Sequence, residues 1–158
     1  MNIEEEIVTK LSELKYHIAV AESCTGGLVA AKLINVAGVS EVLDFSMITY
    51  ANEAKIKFLD VTENDINKYG VVSEQVALAM AKGIAKLANA NVGLATSGIA
   101  GPSGATKTKP VGMVCFGIYL NGKCYTYTNY FGNIGRQNVR QQATQFILLK
   151  LKELLETI

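Results

Sequence analysis

Apolar residues recur at helical spacing from Glu4 to Leu14, with Ile7, Leu11 and Leu14 on one stripe, which predicts a helix there. His17 to Ala21 is a short apolar run of strand length, and it stops abruptly at Glu22-Ser23-Cys24-Thr25-Gly26-Gly27. Leu28 to Ile34 reads as a helix closed by a turn around Gly38, and Val42 to Tyr50 as a second strand. A short helix follows from about Asn52 to Leu59, with Asn52 as its expected N-cap and Glu53 in its first turn. Ser73 to Ala88 is the longest clear central helix, with an expected inner stripe of Val76, Met80, Ile84 and Leu87. Val92 to Thr96 is a third strand, running into Ser97-Gly98-Ile99-Ala100-Gly101-Pro102-Ser103-Gly104. Val111 to Leu120 and Lys123 to Phe131 form a hairpin around Asn121-Gly122, a strong turn dipeptide. The last helix spans about Arg136 to Leu155.

Strands and helices alternate through the first two thirds, and a hairpin follows. That order predicts a three-layer α/β/α arrangement with a mixed sheet. No repeat, low-complexity stretch or Pro/Ser-rich linker divides residues 1–158, so one domain is expected. Ligands of such sheets sit beyond the carboxyl ends of the strands. Three polar or glycine-rich segments fall there: Glu22 to Gly27, Tyr50 to Lys55, and Ser97 to Gly104.

Composition narrows the classes. Of 158 residues 49% are hydrophobic, enough for a substantial core, and there is no Trp. Fifteen basic and fourteen acidic side chains leave a formal charge of +1, which argues against a nucleic-acid partner. No apolar run is long enough to cross a bilayer, and Glu4-Glu5-Glu6 stands where a signal peptide would be basic. Cys24, Cys115 and Cys124 are an odd set without zinc-like spacing, read as reduced thiols of a cytoplasmic protein.

The single histidine, His17, is separated from Cys24 by seven residues, roughly 23 Å if extended, which argues against a Cys–His pair. With one histidine and scattered cysteines, no metal site is expected. Ser23 stands where a strand gives way to a glycine turn and a helix, a geometry that exposes a side chain and aims backbone N–H groups at it. The competing role for Ser23 or Thr25 is a helix cap. Lys55 falls in the first turn of a helix, where the dipole disfavours its charge; partial burial would lower its pKa and let it deprotonate a serine. Tyr50 could hydrogen-bond in the same cleft; alternatively Lys55 is a solvated lysine and Tyr50 a rim aromatic. The Ser97–Gly104 loop, with Thr106 and Lys109-Pro110-Val111-Gly112, could cradle a phosphate with its amides, or be only a surface loop. Arg136 and Arg140, one turn apart on the stripe of Ala143, Ile147 and Leu151, either face an anion or pack their stems on apolar surface.

Taken in order, Ala21-Glu22-Ser23-Cys24-Thr25-Gly26-Gly27, Tyr50-Ala51-Asn52-Glu53-Ala54-Lys55, Gly70-Val71-Val72-Ser73-Glu74, Gly98-Ile99-Ala100-Gly101-Pro102 and Lys109-Pro110-Val111-Gly112 closely resemble the CinA C-terminal family. Phe131-Gly132, Arg136 and Val139-Arg140 end the likeness, which covers nearly the whole chain. The resemblance implies a nicotinamide mononucleotide amidohydrolase that forms nicotinate mononucleotide and ammonia. It makes Ser23 the nucleophile and brings in Tyr50 and Lys55 as its catalytic companions. It also implies a stand-alone form, without the larger N-terminal domain of fused members.

Three departures stand out. Ser97 replaces the family's Thr; Ser103-Gly104-Ala105-Thr106 replaces Gly-Gly-Gly-Thr, with Thr108 at an acidic position; and Gly132-Asn133-Ile134-Gly135 is longer than usual. The expected chemistry is acyl transfer to water, with amides near Gly26 and Gly27 holding the oxyanion and no cofactor. Thr25, Gly26, Gly27, Ser97, Gly98, Gly101, Thr106, Arg136 and Arg140 are the expected contacts to a pyridine nucleotide. A homo-oligomer, dimer or larger, is the expected assembly. The alternative reading is a catalytically weak nucleotide-binding module that acts through partners.

Overall fold

A computed structural model describes all residues from Met1 to Ile158. Five strands, β1 (Ile18–Glu22), β2 (Leu43–Ile48), β3 (Val92–Gly98), β4 (Met113–Leu120) and β5 (Lys123–Tyr130), form one sheet in the order β2-β1-β3-β4-β5. β1 runs parallel to both β2 and β3, and β4 is antiparallel to both β3 and β5, so the sheet is mixed as expected. Six α-helices cover it: α1 (Ile3–Leu14), α2 (Leu28–Ile34), α3 (Asn52–Leu59), α4 (Glu63–Tyr69), α5 (Glu74–Ala88) and α6 (Arg136–Leu155). None of them is long and apolar enough to cross a membrane.

The pleat divides the core into two unequal halves. On one side Ile18, Val20, Leu94 and Phe116 meet Ile7 and Leu11 of α1, Val29 and Leu33 of α2, and Ile147 and Leu151 of α6. On the other, Ala19, Ala21 and Ala95 meet Val76, Met80, Ala81 and Ile84 of α5. Small side chains there let α5 lie close to the sheet: a Cβ on Gly93 would collide with the Ala81 carbonyl oxygen, and one on Gly117 with that of Ala77.

The elements follow the hydrophobic pattern, with local differences. Leu87 is 51% exposed, although it extends the Val76–Met80–Ile84 spacing. Each four-residue step turns the buried stripe about 40° further, and the sheet-facing Ala77, Ala81 and Ala85 carry it towards Ala88 instead. Asn52 is the first helical residue of α3, not its cap; the cap position is Ala51, in extended backbone, with no side-chain bond. α4 lies in an interval where the pattern marks no element, and its start is set by Thr62, whose hydroxyl accepts from the Asp65 amide at 3.1 Å. β4 begins at Met113 rather than Val111, because Pro110 and the positive-φ Gly112 form a turn first. The hairpin turn is as expected: Asn121 and Gly122 both have positive φ.

The register sets out the site. Glu22 pairs with Ile48, and Ala21 with Ala95, so β1, β2 and β3 end side by side. The chain leaves β1 towards β2 on one flank and returns to β3 on the other, so the segments after them diverge around a crevice.

Candidate active site

Lys55 is fully buried, an uncommon condition for a lysine, and three acceptors surround its ammonium. Nζ donates to the carbonyl oxygens of Thr49 at 2.6 Å and Tyr50 at 3.1 Å, and to Ser23 Oγ at 3.2 Å. The turn between β2 and α3 doubles the chain back, so the side chain reaches the carbonyls of its own connecting segment. Burial lowers the Lys55 pKa from the ordinary 10.5 to about 8.

Ser23 opens the loop between β1 and α2, which is held from three directions. The buried Glu22 carboxylate accepts from the Val29 and Ala30 amides at 2.9 and 3.1 Å, occupying the N-terminal turn of α2. Arg140 of α6 reaches the other end of the loop, donating from Nε to the Cys24 carbonyl at 2.9 Å and from Nη2 to the Thr25 carbonyl at 3.1 Å. Thr25 is buried, with its hydroxyl turned inward to Glu22 and Thr96.

These contacts change the set of free amides. Gly26 N–H donates to the Ser23 carbonyl at 3.0 Å and is spent in the turn. The amides of Cys24, Thr25 and Gly27 make no hydrogen bond within the chain, and they are the donors left for a developing oxyanion. Gly27 has φ +102°, and a Cβ there would press on Ile48 Cδ1 at 3.3 Å.

Tyr50 and Arg136 meet at the rim. Arg136 Nη2 donates to the Tyr50 hydroxyl oxygen at 2.8 Å and Nη1 to the Gly101 carbonyl at 3.0 Å, joining the segment after β2, the loop after β3 and the start of α6. Tyr50 therefore touches Lys55 through its carbonyl, while its hydroxyl bonds Arg136 instead of Ser23. Gly98 packs against Val114, where a side chain would not fit. Ser97 is buried and donates to the Val71 carbonyl at 2.8 Å. Thr106 closes its own turn, accepting from the Lys109 amide at 3.1 Å. Lys109, not singled out by sequence as a ligand, ties this loop to the Tyr69 and Val72 carbonyls at 2.6 and 2.5 Å.

Other chemistries find little support. His17 pairs with Asp44 at 2.7 Å, at the opposite end of β1 from Ser23. Burial pushes the Cys24 thiol up to about 11, far from a thiolate nucleophile. No group of three or more His, Cys, Asp or Glu side chains comes together.

A mixed α/β/α sheet with a buried lysine on a serine at the ends of its parallel strands defines the class of protein. The family follows from comparison: the CinA C-terminal domain matches residues 1–155, and the chain belongs to that family. A CinA-like protein of Kosmotoga olearia is 48% identical over 93% of this chain, which covers 35% of that protein. The chain spans little more than a third of the length of the curated relatives it matches. Among solved structures, a CinA superfamily protein from Klebsiella pneumoniae superposes with TM-score 0.94 at 31% identity, covering 99% of this chain and 97% of that one. The competence/damage inducible protein CihA from Agrobacterium tumefaciens gives 0.91 at 38% identity, covering 98% and 95%.

Proposed function

We propose that this chain hydrolyses the carboxamide of nicotinamide mononucleotide to nicotinate mononucleotide and ammonia, with Ser23 as nucleophile and Lys55 as base. The observation that carries the reading is the arrangement of acceptors around Lys55 Nζ. An ammonium has three protons, and all three have acceptors here. The carbonyls of Thr49 and Tyr50 can only accept, so they retain two N–H groups when the third proton leaves. The lone pair then points at Ser23 Oγ, whose proton is donated to Nζ. A pKa of about 8 leaves a useful neutral fraction near neutral pH.

Ser23 Oγ adds to the carboxamide carbon, and the oxygen that gains charge takes the unpartnered amides of the nucleophile loop. Lys55 returns the proton to the departing nitrogen and ammonia leaves. Water then adds to the acyl-enzyme, losing a proton to Lys55, which passes it to Ser23 Oγ as the acyl–oxygen bond breaks, and the acid product ionises to the carboxylate. Arg136 sits at the rim with the charge to hold a phosphate. Tyr50, accepting from Arg136, keeps its own proton for a ligand.

Ammonia release from nicotinamide mononucleotide by wild type and Ser23→Ala, side by side, tests the reading. The variant should retain less than about one part in 10³ of kcat while still binding the nucleotide. Most of the activity surviving in Ser23→Ala, or none in wild type, refutes it.

A further inference from the structure

The parallel ladder between β1 and β3 ends at Ala21–Ala95. One residue on, a side chain takes over from the backbone: the Ser23 amide donates to Thr96 Oγ1 at 3.3 Å. Thr96 Oγ1 lies 2.8 Å from Thr25 Oγ1, which in turn is 2.6 Å from Glu22 Oε1. All three side chains of this line are buried.

Each threonine has one proton to give, and that decides the direction of every bond. The Glu22 carboxylate already accepts from two helix amides and takes the Thr25 proton as a third. Thr25 then has nothing left to donate to Thr96, so Thr96 gives its proton to Thr25. The lone pairs of Thr96 are thereby turned to the Ser23 N–H. With its carbonyl accepting from Gly26, Ser23 is fixed at both ends of its backbone and only Oγ remains free, facing Lys55.

We propose that Thr96 is a positioning residue for Ser23, and that buried Glu22 sets the direction of this hydrogen-bond line through Thr25. The proposal rests on Ser23 being the nucleophile. Thr96 touches no reacting atom; it acts by holding the backbone that carries one.

The test compares Thr96→Val, Thr96→Ser and Glu22→Gln with wild type by three measurements. They are kcat and KM on nicotinamide mononucleotide across pH, the rate at which an activated acyl ester acylates Ser23, and hydrogen exchange of the Ser23 amide by NMR. Valine keeps the shape of threonine but cannot accept. Thr96→Val should lose about 10- to 100-fold in kcat and in acylation rate, the scale of a slightly misplaced nucleophile. KM should stay within about twofold, the limb near pH 8 should remain, and the Ser23 amide should exchange faster. Thr96→Ser should recover most of the loss. In Glu22→Gln the carboxylate charge that draws the Thr25 proton is lost, so the Thr25 hydroxyl can turn that proton towards Thr96. The Ser23 amide should then lose protection although Glu22 does not touch it. A protected Ser23 amide and wild-type acylation in Thr96→Val overturn the proposal, as does an equal loss of kcat in Thr96→Ser. If wild type does not hydrolyse the nucleotide, yet Thr96→Val slows acylation and exposes the amide, the function proposed above fails while the positioning role stands.

Discussion

Lys55 carries the clearest chemical consequence of burial at the residue scale. Its folded pKa of about 8 lies below the ordinary 10.5 because water is excluded from the charged form. Activity should therefore rise with pH and level off above about 8, and Lys55→Met should abolish the limb; a pH–rate profile of both proteins checks this. The same shift has a stability signature. Between about pH 8 and 10.5 the unfolded chain holds more protons than the folded one, so folding gains stability as pH rises through that window. Denaturant titrations should show wild type gaining on Lys55→Met across it, with no relative change below pH 7. Thr49 offers a second test: its hydroxyl is buried without a partner. Thr49→Val should stabilise the protein by about 1 kcal/mol, read as a rise of roughly 2–4 °C in Tm.

The N-terminal part of α6 shows two identical side chains, one turn apart, doing different work at the scale of an element. Arg136 reaches across the rim to Tyr50 and Gly101, whereas Arg140 is occupied with the Cys24 and Thr25 carbonyls. Arg136→Ala should cut the preference for nicotinamide mononucleotide over its riboside by about tenfold, the worth of one charge-assisted contact. Arg140→Ala should instead lower kcat on both substrates alike and cost about 1 kcal/mol of stability. Comparing kcat/KM for the two substrates, with a melting curve, separates these roles. The spacing of the arginines told that they share a stripe, but not which partner each would find, because those partners lie more than thirty residues away. Ser23, Tyr50 and Lys55 were legible as candidates, since each stands at the edge of a recognisable element. The inward roles of Thr25 and Ser97, and the use of Glu22 as the anchor of α2, depend on which side chains the closed sheet brings together, and hydrophobic period carries no record of that. α4 leaves no mark in the pattern because Ile66 and Tyr69 are its only apolar positions and none of its residues is buried.

For the whole molecule, order and type of elements followed from alternation, because large and small apolar residues segregate to opposite faces of the sheet. What the pattern did not carry is how tightly the small face is closed. Gly93→Ala, one methyl against the Ala81 carbonyl, should cost about 1–3 kcal/mol by forcing α5 off the sheet, and thermal melts would register it. The position of α6 has a further effect, on timing. Ser23 and Lys55 are made before α6, but the guanidinium that grips the carbonyls of Cys24 and Thr25 belongs to residue 140. That helix must leave the ribosome before the loop can be clasped, so a growing chain holds its serine unarmed until α6 has emerged.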